Sequence, residues 1–452
     1  MPVAEIAAAI GGAVRAPDSP SAPRPEWERP ALAALYEPGH YAPLWTDERG
    51  RPKPDVGEAL ALLARAPDEG LDPVDYRADW LEQYARRIET DAPSASEIAG
   101  FDAALSRSVL RYYRHVHRGR IDPRDVGYAE SATIGADEVV GLVRSAIADH
   151  RITERAIELA PRAGEYGELR AMLVRYRALA GGARLAPPAL PGPVRPGQAT
   201  SGLDSLYRLL VALGDLPRGS LSPDTLVRFD GALVAGVKRF QARHGIDANG
   251  VLGSDTQAAF GVAFPQRVRQ IELALERVRW WPNADGDRVV VINSPMSRLW
   301  AWNADGLRAA PVLSVAVVAG RAPIARPSLT ERVHEVVFQP DANDERRCHE
   351  GTLVPYLVAW GVGIGRGCPR VADPVGLAVW ALSGQPGWTE ARVRAAIGGT
   401  GPSRVALARP VRIVRSDSTA AMPGDGALHF AADVYARDEE LHRALIGRPR
   451  LE

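Results

Sequence analysis

Two side chains capable of covalent chemistry lie close together late in the chain. The stretch Gly363-Ile-Gly-Arg-Gly-Cys-Pro-Arg-Val371 sets one of two cysteines among glycines and between Arg366 and Arg370. A thiol is only a few per cent ionised at neutral pH. Nearby cations, converging backbone N–H groups and a neutral imidazole raise both the thiolate fraction and its usefulness. Gly365 and Gly367 allow positive φ and close backbone approach, so successive N–H groups can meet at one point. His349 lies nineteen positions upstream (368 − 349), in Cys348-His-Glu-Gly-Thr352, and is the candidate base. The pattern predicts Cys368 as a nucleophile. The plainer reading is a buried structural cysteine in a tight turn, and the glycines and flanking charges argue against it.

Composition narrows the partners. Lys+Arg and Asp+Glu are both 55, so nothing in the charge points to nucleic acid or an anionic membrane as the main partner. Two cysteines do not make a disulfide framework, and their spacing has no zinc pattern around it, so no metal or cofactor is expected. A Cys348–Cys368 disulfide would consume the proposed nucleophile. No stretch reaches 18 apolar residues, which predicts no integral membrane segment. Met1 to Val14 is small and apolar but lacks a basic start and is interrupted by Glu5. It reads as a weak amphipathic helix and a poor signal peptide.

The elements that must position the cysteine follow from hydrophobic period. At 452 residues about three domains are expected. Residues 1–25 form a weakly amphipathic or disordered start. Over 26–186 the apolar residues recur at helical spacing, best seen in Ile98, Phe101, Leu105, Val109, Tyr112 and Val116. His115 and His117, two apart on that helix, face different ways and make no metal pair. Residues 187–200, with five prolines in fourteen positions, read as a semi-rigid linker. A small three-helix domain follows over 201–264, with Ser254 expected to cap its last helix, and a connector helix over 265–283. From 284 to 424 the period becomes strand-like, in Arg288 to Asn293, Arg298 to Asn303, Pro311 to Ala319 and Val333 to Phe338. A strand and helix over 425–452 close the chain. The fold class is therefore α+β and multidomain: an all-α part, a three-helix module, and a mostly β domain holding Cys368.

Two sets of motifs carry a family resemblance. Ala235-Gly-Val-Lys-Arg-Phe-Gln-Ala-Arg-His-Gly-Ile-Asp-Ala-Asn-Gly-Val-Leu-Gly253 is similar to the helical peptidoglycan-binding module of bacterial wall enzymes. Tyr41-Ala-Pro-Leu-Trp45, Gly70-Leu-Asp-Pro73, His117 to Pro123, Gly367-Cys-Pro-Arg-Val371 and His429-Phe430 complete the pattern. Together they resemble the multidomain L,D-transpeptidases of Gram-negative bacteria, which carry a helical scaffold domain, a peptidoglycan-binding module and a YkuD-type catalytic domain. The chain departs from that family at three points. Gly365 replaces the signature serine, Pro369 replaces the usual isoleucine, and only eight residues separate Pro340 from His349 where relatives carry a longer, lid-bearing segment.

The resemblance implies a chemistry and its actors. Cys368 would attack the diaminopimelate carbonyl of a stem tetrapeptide and release D-alanine, and a second stem's amine would take the acyl group to form a 3–3 cross-link. His349 would be the base. Backbone N–H groups of Arg366, Gly367 and Cys368 would stabilise the oxyanion, with Gly365 giving the loop its freedom, Arg370 would hold the loop or the donor's carboxylate, and Thr352 would contact substrate. The implied partners are peptidoglycan stem peptides and glycan, in the periplasm. Two alternatives use the same parts: an L,D-carboxypeptidase with water as acceptor, and a wall-binding scaffold whose catalytic site has decayed.

Overall fold

The structure, a computed structural model, describes residues 3–16, 25–90, 93–129, 135–182, 185, 187–190, 192–220, 227–284, 286–304, 306–318, 328–339, 356–359 and 370–447. It is mixed α+β, as the hydrophobic periods predict, with helices up to residue 279 and the first strand beginning at Arg288. The chain forms two compact units. One contains Met1–Arg162, Leu275–Asn283 and Glu440–Glu452, and the other Ala163–Ala274 and Ala284–Glu439.

The first unit is helical: α1 (Val3–Arg15), α2 (Glu28–Tyr36), α3 (Pro54–Ala64), α4 (Ala78–Thr90), α5 (Ala95–Arg118), α6 (Ala136–Ala148) and α7 (Ile152–Leu159). Its axis is α5, whose Ile98, Phe101, Leu105, Val109, Tyr112 and Val116 are all buried, as a 3.6-residue period requires of a core helix. Ser94 and Glu97 form a reciprocal capping box at its start. The same core takes Ile6, Ile10 and Val14 of α1. The apolar face that looked weak in sequence is long enough to bury, so the N-terminal segment is part of the helical unit instead of a separate start.

Two buried carboxylates hold irregular chain onto these helices. Asp102 on α5, with no exposure, accepts from the backbone N–H groups of Leu44 at 3.0 Å and Trp45 at 2.9 Å and from the Tyr36 hydroxyl at 2.6 Å. The Trp45 indole N–H donates to Ser106 Oγ at 2.8 Å. These bonds give the Tyr41 to Trp45 motif its shape. Burial raises the Asp102 carboxyl above its ordinary range despite those donors. Glu276 belongs to α12 (Phe264–Arg279), whose residues from Leu275 onward lie in this unit. Its carboxylate accepts from the N–H groups of Arg120 and Ile121 and pairs with the Arg120 and Arg279 guanidiniums, each at 3.1 Å. Burial pushes this carboxyl up, but the two arginines and two N–H donors outweigh it and hold it below its ordinary value. Gly119, at φ +86°, makes the approach possible.

The second unit contains α8 (Gly164–Gly181), α9 (Leu203–Leu213), α10 (Gly231–Arg243), α11 (Ser254–Gly261), the start of α12, and the strands. The sequence pattern placed α8 with the preceding helices. It lies instead in this unit because Tyr176 packs edge-on against Phe264 and Phe430 and Arg175 bonds to the Ala212 carbonyl. Leu206, Leu210, Leu233, Val237, Phe240 and Phe260 fill the core of α9 to α11. Ser254 is the first residue of α11 and not its cap, since the Gly253 carbonyl takes the first helical bond from Gln257.

Seven strands form one mixed sheet: β1 (Arg288–Asn293), β2 (Arg298–Trp302), β3 (Leu313–Val318), β4 (Thr330–Phe338), β5 (Tyr356–Ala359), β6 (Arg370–Val371) and β7 (Ser403–Ser416), in the order β5-β4-β7-β1-β2-β3-β6. β1 runs parallel to β7 and antiparallel to β2. Helices α13 (Pro374–Ala381) and α14 (Glu390–Ile397) bury Leu377, Trp380 and Val393 with Val290, Leu299 and Val411 of the sheet. The pair β8 (Ala420–Ala421) and β9 (His429–Phe430) and the helix α15 (Arg437–Gly447) follow. His334 on β4 is exposed, as its position in the strand pattern predicts.

Two outcomes test this account. A Cβ at Gly119 would lie 2.7 Å from Trp280 Nε1 and 2.9 Å from Glu276 Oε1, and its φ and ψ of +86° and 170° suit glycine alone. Gly119→Ala is expected to cost roughly 2–4 kcal/mol in a urea titration of the whole chain. Glu165 on α8, half-buried and accepting from the Met422 N–H at 3.0 Å, is pushed by desolvation from 4.5 to about 8. Its folded value exceeds its unfolded one, so its contribution is full below about pH 4.5 and is lost as pH rises toward 8, at most about 1.4 kcal/mol per pH unit. Glu165→Gln keeps the acceptor and should flatten this decline, and equal slopes in both proteins between pH 5 and 8 would count against it.

Candidate functional site

Most of the predicted catalytic set, namely Cys368, His349, Gly365, Arg366, Gly367 and Thr352, lies outside the described residues. Arg370 is the first residue of β6, and its backbone pairs with Val318 of β3. What the structure does describe is the frame around the loop. β5 ends at Ala359 and β6 begins at Arg370, and these two strands stand at opposite ends of the sheet order.

The exit from the loop is firmly built. After β6, the Ala372 N–H donates to the Ala316 carbonyl at 2.8 Å. Asp373 then caps α13, its Oδ1 accepting from the Gly376 N–H at 2.8 Å, and Pro374 takes the first helical turn, where a missing N–H costs nothing. A Cβ at Gly376 would displace the Asp373 carboxylate from its capping position. At the far end, Arg288 of β1 donates to the carbonyls of Ala381, at 2.8 Å, and Trp380, and its guanidinium lies 4.2 Å over the Trp380 ring. Cation and carbonyl dipoles at a helix C-terminus attract. The Asp-Pro pair that follows the cysteine motif in sequence is thus a helix start, held from the centre of the sheet.

The other histidines of the motifs have structural partners. His115 Nδ1 meets the Tyr76 hydroxyl at 2.9 Å and His117 Nδ1 meets the Leu159 carbonyl at 3.0 Å. His429 Nε2 lies 2.7 Å from Asp425 Oδ2. Partial burial pushes Asp425 up, and the bonds from His429 and the Ala427 N–H outweigh it and lower its pKa. Asp433 accepts from the N–H groups of Arg437, Asp438 and Glu439 and so starts α15. Among the described residues no group of three His, Cys, Asp or Glu stands close enough to hold a metal ion, and no helix is long and apolar enough to cross a membrane.

A second site takes shape in the three-helix module. A cavity of about 580 Å³ lies among α8 to α12, walled by apolar side chains including Leu179, Leu209, Leu213 and Phe260 and edged by Tyr176, His244 and Arg267. That size and mixture suit a small organic group. His244 is stacked on Phe240 with ring centres 3.8 Å apart and faces Phe430 at 5.6 Å. Burial, with Arg243 and Arg267 adding, holds its pKa well below normal. The neutral ring lies 2.7 Å from the Phe240 carbonyl through Nδ1. A carbonyl only accepts, so Nδ1 carries the hydrogen and Nε2 is left as an acceptor.

Arg267 is 7% exposed. It donates to Gln270 Oε1 at 3.0 Å and to the Ala259 carbonyl at 3.2 Å and lies 4.4 Å over Phe430. It forms no ion pair among the described residues, and burial lowers its pKa to about 10. The neighbouring Arg243 differs, being paired bidentately with buried Asp215 at 2.6 and 2.8 Å. The cavity therefore offers an uncompensated cation and a neutral acceptor among apolar walls. Arg267 has no acid three or four residues away on its helix, which was the available signal for it. Tyr176 and His244 gave none.

Residues 202–260 match the family described as "Putative peptidoglycan binding domain". The match spans the module and six of the cavity's lining residues, Leu209, Leu213, Phe240, His244, Ala259 and Phe260. Residues 30–173 match the family described as "Scaffold domain". Neither match reaches the strands that frame Cys368. No curated protein matches the chain. A scaffold domain beside a peptidoglycan-binding domain is consistent with the architecture of a cell-wall enzyme, and it supports peptidoglycan as a partner and an association with the wall.

Proposed function

We propose that the protein is a peptidoglycan L,D-transpeptidase of the periplasm that acts through Cys368. The observation that carries this reading is the peptidoglycan-binding match at 202–260 in one chain with Arg366-Gly-Cys-Pro-Arg370. His349 takes the thiol proton, and the thiolate adds to the diaminopimelate carbonyl of a stem tetrapeptide. Collapse of that adduct breaks the bond to D-alanine, whose amine leaves with the proton held by His349, and a thioester remains. The side-chain amine of a second stem then attacks the thioester, gives a proton to His349 and restores the thiol. Backbone N–H groups of Arg366, Gly367 and Cys368 stabilise each oxyanion, a role in which one donor is typically worth about 10²–10³ in rate. The module cavity holds a wall fragment, with Arg267 taking an anionic or carbonyl oxygen.

The spacing of only eight residues between Pro340 and His349 favours a second outcome at the same thioester. A site with a short cover admits water, and hydrolysis then yields a tripeptide in place of a cross-link.

Incubation with a carbapenem, followed by intact mass measurement, should show one acyl adduct in the wild type and none in Cys368→Ala. His349→Ala should slow its formation by about 10²–10⁴. Tetrapeptide digests should yield D-alanine with 3–3 dimers, or with tripeptide if water is the acceptor. If neither an adduct nor free D-alanine forms, the chain is a wall-binding scaffold and the enzyme reading is lost. Binding to isolated sacculi is a separate measurement. Arg267→Gln should weaken it about tenfold or more, with acylation of Cys368 unchanged, and undiminished binding would remove the cavity from the proposal.

A further inference from the structure

The helical unit contains a second cleft, of about 500 Å³, that the acyl transfer does not use. Its lining includes Trp27, Arg111, Arg114, His115, Arg120 and Asp125. Arg107, Arg111 and Arg114 follow one another on α5 at steps of four and three, which puts them on one helix face. The buried acids neutralise most of this stripe. Glu28, with no exposure, takes Arg107 at 3.3 Å and Arg111 at 2.5 Å, and Glu276 takes Arg120 at 3.1 Å.

Arg114 is the exception. No acid stands three or four positions from it on α5, it forms no ion pair among the described residues, and its Nε is buried with no hydrogen-bond partner. The guanidinium lies 4.7 Å over the Trp27 ring, and both side chains line the cleft. Leaving a buried donor unmatched costs about 1–3 kcal/mol, more for a charged group. Burial, and then Arg111, Arg114, Arg120 and Arg279, lower the His115 pKa. At Arg114 itself the charges of Asp122, Glu276 and Glu28 act in the opposite sense to burial.

The same cleft also presents the opposite charge. Asp125 is exposed and makes no ion pair among the described residues, and Asp122 beside it is already held by Arg124 at 2.7 Å. An unpaired cation and an unpaired acid line one cleft without pairing with each other. A phosphate would suit Arg114 but meet repulsion from Asp122 and Asp125, whereas a molecule carrying both charges meets each with its complement.

We propose that this cleft binds a zwitterionic amino acid or short peptide, its carboxylate on the Arg114 fork and its amine toward Asp125. The test is calorimetric titration of the full chain with free alanylalanine, its N-acetyl form, which lacks the amine, and its C-terminal amide, which lacks the carboxylate. Each blocked form should bind about 10–100-fold more weakly than the free dipeptide. Arg114→Gln should erase the difference between free dipeptide and amide, and Asp125→Asn the difference between free dipeptide and the acetylated form. Asp125 is exposed, so its variant keeps the test open should Arg114→Gln fail to fold, and circular dichroism melts establish folding in both. The proposal is overturned if the free dipeptide does not bind, if the three ligands bind alike, or if a folded variant discriminates as the wild type does.

Discussion

A carboxylate cut off from water must be surrounded by donors, and the helical unit is arranged around meeting that demand at Glu276. Two backbone N–H groups and two guanidiniums converge on one side chain with no exposure. Removing any partner would leave charge buried and unmatched, which in such clusters costs several kcal/mol. The constraint propagates outward. The chain after α5 must present successive N–H groups, so it turns through Gly119, and Ile121 is carried into the interior beside it. Asp102 plays the same part for the Tyr41 to Trp45 segment. Two of the motifs of this region, Tyr41 to Trp45 and His117 to Pro123, thus supply donors to two buried acids.

Much of the fold could be read from residue order, for physical reasons that differ by element. α5 and α9 were legible because their apolar residues keep a 3.6 period over several turns, and β1 and β2 because runs of Val, Ile and Trp end at turn residues. α1 was underrated: its small side chains give a weak signal even though Ile6, Ile10 and Val14 are fully used in packing. The allegiance of α8 could not be read at all, since it is decided by contacts of Tyr176 with rings almost ninety and more than two hundred and fifty residues away. Local pattern has no access to such partners.

The sites divide in the same way. The Cys368 stretch stands out in sequence by its residue types, and the helix that follows it, α13, starts at a local signal, the Asp373-Pro374 pair. The polar groups of the module cavity could not. His244 becomes an acceptor only because the Phe240 carbonyl claims its other nitrogen and burial keeps it neutral. Arg267 becomes an uncompensated charge because, among the described residues, no acid pairs with it in three dimensions. Both are properties of surroundings, and neither belongs to a residue type.

The ring stack of Phe240, His244 and Phe430 has a bearing on how separable the parts of this chain are. A stretch that sequence similarity delimits at residue 260 stacks its His244 against Phe430, far outside it, and its cavity is walled in part by α8 and α12. Cut out at its similarity boundaries, the module would present Phe240 and the His244 ring to water and lose both the guanidinium and the phenol of its cavity. The cavity and the packing around Phe430 are therefore built together, and replacing the module by an unrelated one would mean rebuilding both.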